Sequence, residues 1–279
     1  MNLLTKWIFR TRNWFRIFKY RASNNLHTNR QQNMITLSQF STDFKLLTKD
    51  WSWEVEGFLD TAGYVHPIDT DTKVISTVFE RLASPVVRSI AKKYGYVVET
   101  ANQTTYPDFT LTKKNGNTVL HRVALDVKTT YRSNMMLLTL GGYNSFLRND
   151  SKNILYPYST YHDHWILGFI YEQKSPFPEY DLDNMPKQGV ISCPYSNVFV
   201  FIREKYAISG VRAGSGNTKN IGSIKLPRPS DFATATGPFT AFRDAKGACD
   251  HFWRHYETYV LQINSQADLL VHADFDVFK

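Results

Sequence analysis

No apolar run in the sequence approaches the about 18 residues that a membrane-crossing helix needs, so a spanning segment is excluded as an organising element. Cysteine is nearly absent. Cys193 and Cys249 are the only two, 56 positions apart and without a CxxC pair, which excludes both a zinc ribbon and a disulfide framework. Both are expected reduced and partly buried, as in a cytoplasmic protein with no membrane partner. Internal repeats and long linkers are absent too. Acid is missing from the first 33 residues, which carry Lys6, Arg10, Arg12, Arg16, Lys19, Arg21 and Arg30.

That last absence explains most of the charge. The chain of 279 residues has a net charge of +8, but removing those seven cations leaves 26 basic against 25 acidic residues. Overall basicity therefore says little about a polyanionic partner of the main domain, and a nucleic-acid site has to come from local clustering. The basic, aromatic leader can be read as a transit peptide or a membrane-surface helix. The expectation is a plainer one: residues 1–33 are an extension outside the fold, Met34 is the working start, and 34–279 form one domain.

What is plentiful is material for a core, with 42% hydrophobic and 15% aromatic residues. Ile35, Leu37, Phe40, Phe44 and Leu47 recur at helical spacing and predict an amphipathic helix between Met34 and about Trp51. A hairpin is expected in GFLDTAGYV about the turn cluster Asp60 to Gly63. Asp69, Thr70 and Asp71 are N-cap candidates for KVISTVFERL, and Ser84-Pro85 predicts a fresh start for a second helix, PVVRSIAKKYG, ending at Gly95. Strands are expected in YGYVVE, DFTLTK, TVLHRVALDVKTTY, HWILGFIY and NVFVFIREKYAI, with a helix from about Arg243 to Leu261. The class is α/β, a mixed β-sheet flanked by α-helices.

The chemistry gathers in YPDFTLTKKNGNTVLHRVALDVK, residues 106–128. Asn115-Gly116 is a strong hairpin signal. A turn centred there places Asp108 opposite about Val123 or Ala124, with Asp126 a near-diagonal neighbour. Asp126 and Lys128, two apart on a strand, share a face. Two carboxylates held ~5 Å apart repel by about 3 kcal/mol at an effective dielectric of 20, so such a pair calls for compensation, and a hard divalent cation supplies it. The spacing alone equally allows three solvated surface residues.

The run PDF…DVK resembles the PD-(D/E)xK nuclease motif. More narrowly, DTKVISTVFE, KKYGYVVE, YPDFTL, ALDVKTTY, TLGGYNSFLRND, SKNILYP and AGSGNTKNIGSI, spread over about 68–224, are similar in order and spacing to EcoRV-like type II restriction endonucleases. The resemblance implies a restriction-endonuclease-like fold in which Asp108 and Asp126 bind Mg²⁺, Lys128 assists the nucleophile, and Glu80 belongs to a further metal site. It also implies double-stranded DNA as substrate, a homodimer reading a palindrome, GATATC cut bluntly, and a cognate DNA methyltransferase in a restriction-modification system.

The stretch AGSGNTKN is not a dinucleotide loop, because the glycine after Gly216 is Gly222, too late for GxGxxG. Glycines let a backbone approach base edges closely, and Asn217 can pair with adenine N6 and N7. By resemblance, Gly214, Ser215, Gly216, Asn217 and Thr218 form a major-groove reading loop, while Asn102, Gln103 and Thr104 approach the minor groove. Thr104 and Thr105 replace an Asn-His pair of the family, and Lys219 replaces a threonine. Lys73, Ser76, Thr130, Ser145 and Lys152 match positions facing phosphates, which orient a duplex without reading it. His162 and His164 are two apart but lack a third ligand at zinc spacing, so a structural role is expected. A repair nuclease with the same metal core would not need the GSGNT loop, and a lapsed DNA-binding relative would not need intact Asp108, Asp126 and Lys128.

Overall fold

Thr36 opens the first helix by a reciprocal cap: its hydroxyl accepts the Gln39 N–H at 3.2 Å while the Gln39 side-chain oxygen accepts the Thr36 N–H at 3.0 Å. The computed structural model describes residues 34–102, 104–150, 152–174, 181, 183, 191–214 and 219–279. The extension 1–33, Gln103 and the loop residues Ser215, Gly216, Asn217 and Thr218 lie outside the described residues. Helix α1 (Leu37–Thr48) buries Phe40 and Phe44. The expected hairpin follows as β1 (Gly57–Leu59) and β2 (Val65–Pro67), turning through Gly63 at φ +90°.

Asp71 caps helix α2 (Thr72–Lys93), accepting the N–H groups of Lys73 and Val74. One helix runs where two were expected. Pro85 lies inside it, on the exposed face, and removes the hydrogen bond to the carbonyl of Arg81. An interior proline costs about 3 kcal/mol. The opposite face buries Val78, Phe79, Ala83, Val86, Val87 and Ile90, and each large apolar side chain there contributes about 1.5–3 kcal/mol. Burial outweighs the proline, so the helix continues to Gly95, whose φ of +75° ends it.

Strands β3 (Val97–Thr100), β4 (Phe109–Asn115) and β5 (Thr118–Tyr131) come next, then β6 (Thr139–Gly142) with a π-helical turn at Tyr143–Leu147. After them run β7 (Asp163–Gln173) and β8 (Tyr195–Glu204). The strand expected through EKYAI stops at Glu204: Lys205–Ile208 form a helical turn, α3, closed by the Ser209 hydroxyl donating to the Lys205 carbonyl at 2.8 Å. Strands β9 (Ser209–Ala213) and β10 (Asn220–Ser223) flank the described ends of the glycine-rich loop. The C-terminal helix is also broken, into α4 (Ala245–Arg254) and α5 (Tyr256–Tyr259). The reason is local: the His255 ring nitrogen meets the His251 carbonyl at 3.0 Å while the His255 N–H is shared between the carbonyls of His251 and Phe252. Helix α6 (Gln266–Val271) and a final 3₁₀ turn complete the chain.

Five strands form the main sheet in the order β3-β4-β5-β7-β8, antiparallel except for the parallel pair β5–β7. Strands β6, β10 and β9 make a separate three-stranded antiparallel sheet. Alternation sends Val123, Leu125, Val127, Trp165, Leu167 and Phe169 to one face of the main sheet, against α1 and α2. Ala124, Ile166 and Ile170 go to the other face, towards a second cluster with Phe146, Tyr158 and Trp253. This is the expected mixed α/β arrangement. Among the described residues, no helix is long and apolar enough to cross a membrane.

The β4–β5 register corrects the sequence reading. Asn115 pairs with Thr118, so the turn residues are Gly116 and Asn117, and Gly116 alone of the two has positive φ, +57°, as a II′ turn requires at its first central position. Between the pairs Lys114–Val119 and Lys113–His121, Leu120 is an extra residue on β5, a β-bulge. Beyond it Phe109 pairs with Leu125. The next position back therefore sets Asp108 directly opposite Asp126. Without the bulge, Asp108 would oppose Leu125, whose side chain belongs to the apolar face.

Candidate active site

Directly opposed residues on neighbouring strands point to the same face. Asp108 and Asp126 meet there, on the side of the sheet away from α2's apolar contact, with Lys128 two residues along β5. Asp126 is 3% exposed, and the Lys128 ammonium lies 2.6 Å from its Oδ2. Asp108 accepts the N–H of Val127 through Oδ2 at 2.6 Å, which fixes its carboxylate across the strand gap.

The charges are unbalanced. Burial, and then the Asp126 carboxylate, push Asp108 up to about 7, with Glu80 adding to the rise and Lys128 and the Val127 N–H opposing it. Burial disfavours the charge on Lys128, but Asp126 and Asp108 more than offset it and hold its ammonium above the usual lysine value. Asp126 and Asp108 thus converge on the Lys128 ammonium while Glu80 adds negative charge near Asp108, and near neutral pH Asp108 is divided between its protonated and ionised forms. A donor set of two opposed carboxylates at the edge of solvent suits a hard divalent cation that keeps several waters. Among the described residues no three His, Cys, Asp or Glu side chains converge to enclose an ion by themselves. Glu80, on α2, is near enough to act on Asp108 electrostatically but does not close a third ligand position, and its closest cation is Arg81 at 3.9 Å.

The other sequence-derived positions are distributed over separate segments. Lys73 and Ser76 lie on the first turns of α2, the former exposed and the latter half-buried. Thr130 continues the face of Asp126 and Lys128 towards the end of β5. Ser145, in the π-helical turn, donates to the Gly142 carbonyl at 3.1 Å. Asn102 and Thr104 are exposed before β4, with the Asn102 carbonyl accepting the Thr105 N–H at 2.8 Å; Lys152 is exposed as well. Gly214 follows β9, where its N–H donates to the Asn220 carbonyl at 3.0 Å and a Cβ would stand 3.0 Å from the Thr139 hydroxyl. His162 and His164 do not form a pair: His162 accepts the Arg122 N–H at 3.1 Å, whereas His164 meets the Tyr106 hydroxyl at 2.7 Å.

A buried polar group behind the carboxylates went unnoticed in the sequence, except that His164 was expected to be structural. It comprises His164, Lys205 and Asp250, reached through Tyr106 and Tyr158. Tyr106 lies two residues before Asp108, the only hint that sequence position offered.

Two aspartates and a lysine gathered on a bulged hairpin can hold a divalent cation against a phosphodiester, and the class of protein is shown by comparison with known ones. The family described as restriction endonuclease EcoRV matches residues 49–278. The type II restriction enzyme EcoRV of Escherichia coli is 40% identical over 220 residues, spanning 76% of this chain and 86% of that protein. The chain belongs to the EcoRV restriction endonuclease family: it is a DNA-binding nuclease, a hydrolase.

Proposed function

We propose that this endonuclease hydrolyses double-stranded DNA in the presence of Mg²⁺ at a palindromic site, GATATC, leaving blunt ends, with Asp108, Asp126 and Lys128 as its cleavage centre. The observation that carries the reading is the register that brings Asp108, one residue ahead of the Phe109–Leu125 pair, alongside Asp126 and Lys128, with Asp108 pushed up to about 7 by burial and by its neighbour. When bound, the cation would polarise the scissile phosphate and make an attacking water more acidic. Asp108 and Asp126 hold it. Lys128, kept charged by both carboxylates, orients the water or stabilises charge gathering on the phosphate oxygens. Glu80 contributes negative charge from α2 to a further cation position.

Reading is assigned to Gly214 and the loop residues Ser215, Gly216, Asn217 and Thr218 in the major groove, with Asn102, Gln103 and Thr104 at the minor groove. Each bidentate pair to a base is worth ~1–3 kcal/mol of discrimination. Lys73, Ser76, Thr130, Ser145 and Lys152 face phosphates and set the register. A central TpA step unstacks easily, which helps bring the scissile phosphate to the carboxylates. A palindrome calls for a two-fold symmetric reader, hence a homodimer. The setting is a cytoplasmic restriction-modification system with a cognate methyltransferase, and residues 1–33 stand outside the working domain.

The test is to incubate the protein with plasmid DNA and Mg²⁺ and map the ends. Discrete blunt ends at GATATC are expected. Ends at another palindrome would overturn the assigned site, and absence of cleavage with any divalent ion would overturn the catalytic assignment.

A further inference from the structure

Arg122, near the start of β5, is a buried cation without an anion. It is 8% exposed. Its Nη1 donates to the Thr160 hydroxyl at 2.8 Å, its Nε has no hydrogen-bond partner, and no carboxylate pairs with it among the described residues. The guanidinium lies over the Tyr156 ring instead, 3.8 Å from the centroid. Cation–π attraction offsets only part of what a guanidinium loses with its water, so the group is left with unspent attraction for an anion.

The acids around it are engaged elsewhere. Glu99 accepts the Tyr156 hydroxyl at 2.8 Å, and Asp163 is paired with His121 at 2.9 Å. Arg122 lines an open cleft of about 540 Å³ with Val119, Ser159, Thr160, Tyr161, His162 and Lys246, and no acid lines it. Two of the cleft hydroxyls are committed, Thr160 donating to the Pro157 carbonyl at 2.8 Å and Ser159 to the Asp150 carboxylate at 3.3 Å. Three groups keep protons to give. Besides Arg122 there is Lys246, on α4, whose ammonium is partly exposed and 3.6 Å from Asp250. The third is His162: its Nδ1 accepts the Arg122 backbone N–H at 3.1 Å and so carries no proton, which leaves the ring proton on Nε2 as a donor. A planar guanidinium, an ammonium and an imidazole N–H about one cleft suit the several oxygens of a phosphate group.

We propose that Arg122, His162 and Lys246 form a second anion site, for a phosphate group, distinct from the cleavage centre. Arg122 shares the face of Ala124 and Asp126, and four residues of strand set it ~13 Å from Asp126. Thr130, assigned to a DNA phosphate, lies as far again in the other direction, ~26 Å from Arg122. Two sources carry the same chemistry, free phosphate and the backbone of DNA outside the stretch held for cleavage, and this distance favours free phosphate. The site does not depend on the roles assigned to Asp108, Asp126 and Lys128. A bound phosphate would tie β5, the segment entering β7 and α4 together, so it should also raise the melting temperature.

Calorimetric titration of potassium phosphate into the full-length protein, in EDTA at pH 7.5 with ionic strength held constant by KCl, tests the proposal. Binding at millimolar phosphate or below is expected. Arg122→Gln should weaken it by about tenfold or more, because a charged hydrogen-bonding group is lost. Lys246→Gln, at the partly exposed rim, should weaken it by about twofold to fivefold. If the Arg122 variant does not fold, the Lys246 variant decides alone. Absence of binding, or binding that both variants leave unchanged, would overturn the site. Repeating the titration with saturating duplex DNA separates the two sources. Arg122-dependent binding that persists supports free phosphate as the ligand, whereas its loss would overturn that source and give the cleft to the DNA backbone.

Discussion

The two faces of the five-stranded sheet are built to different rules. On the side of α1 and α2, Phe79 stacks on Phe169 with centroids 4.7 Å apart, Phe44 stacks on Trp53, and the contacts are almost wholly apolar. On the other side the same strands present Asp126, Lys128 and His164 to an aromatic cluster that also encloses Lys205 and Asp250. Every buried charge there costs desolvation that a hydrocarbon would avoid. The apolar face holds the strands at their register, and the polar face uses that rigidity to keep repelling groups together. Stability and chemistry are thus separated by a single alternation of side chains.

Substitutions on each face should then fail in opposite ways. Asp126→Ala should abolish cleavage, by about a thousandfold or more, equivalent to ~4 kcal/mol in the barrier. Its melting temperature should change less than for a core truncation, because the lost repulsion with Asp108 and the lost Lys128 ion pair act in opposite directions; single-turnover cleavage beside calorimetry checks both. Phe79→Ala on the apolar face should lose about 3–5 kcal/mol of stability in a urea titration, while cleavage per folded molecule in the cold stays near wild type. A Phe79 variant that cuts poorly while fully folded would break the division between the faces.

Acid–base behaviour sharpens the contrast. Asp108 has its folded value raised to about 7 from 3.8, so the folded protein binds more protons than the unfolded chain between those limits. Its contribution to stability is complete below about pH 4 and is lost as pH rises through about 7. In EDTA, Asp108→Asn, which is neutral throughout, should therefore gain in melting temperature relative to wild type as pH goes from 5 to 8. A constant difference would show that Asp108 is not raised. The smallest effect expected is for Tyr106→Phe, which removes the hydroxyl facing His164 at 2.7 Å and should cost about 1–2 kcal/mol of stability.

Much of the apolar face was legible beforehand. Helical spacing from Ile35 to Leu47 marked α1, and strand-like segments marked β5 and β7, because such patterns follow from local geometry. Pro85 misled because its local penalty is smaller than the burial on the opposite side of α2. His255 likewise broke a helix through a side-chain contact that periodicity does not encode. The site was legible in its residues but not in its geometry: Asp108, Asp126 and Lys128 stood out by type, yet Leu120 gives no sequence sign that it is the extra residue of a bulge. The burial of Lys205 was not legible in the sequence. Its cage comes from Tyr106, Phe146 and Tyr158, 47 to 99 positions earlier in the chain, and only the folded arrangement joins them. The glycine-rich loop after Gly214 stood out by its composition and took its proposed role from the family resemblance, and its residues from Ser215 to Thr218 lie outside the described residues.

The extra residue at Leu120 has an evolutionary consequence. It divides the hairpin into a tip, where additions and losses are absorbed by the turn at Gly116-Asn117, and a stem, where they are not. Losing one residue between the bulge and Asp126 would leave every amino acid of the motif present but out of phase, with one aspartate delivered to the wrong side of the sheet. In descendants of this chain, the tip should accumulate length variation freely, whereas the stem should change its letters but never its count.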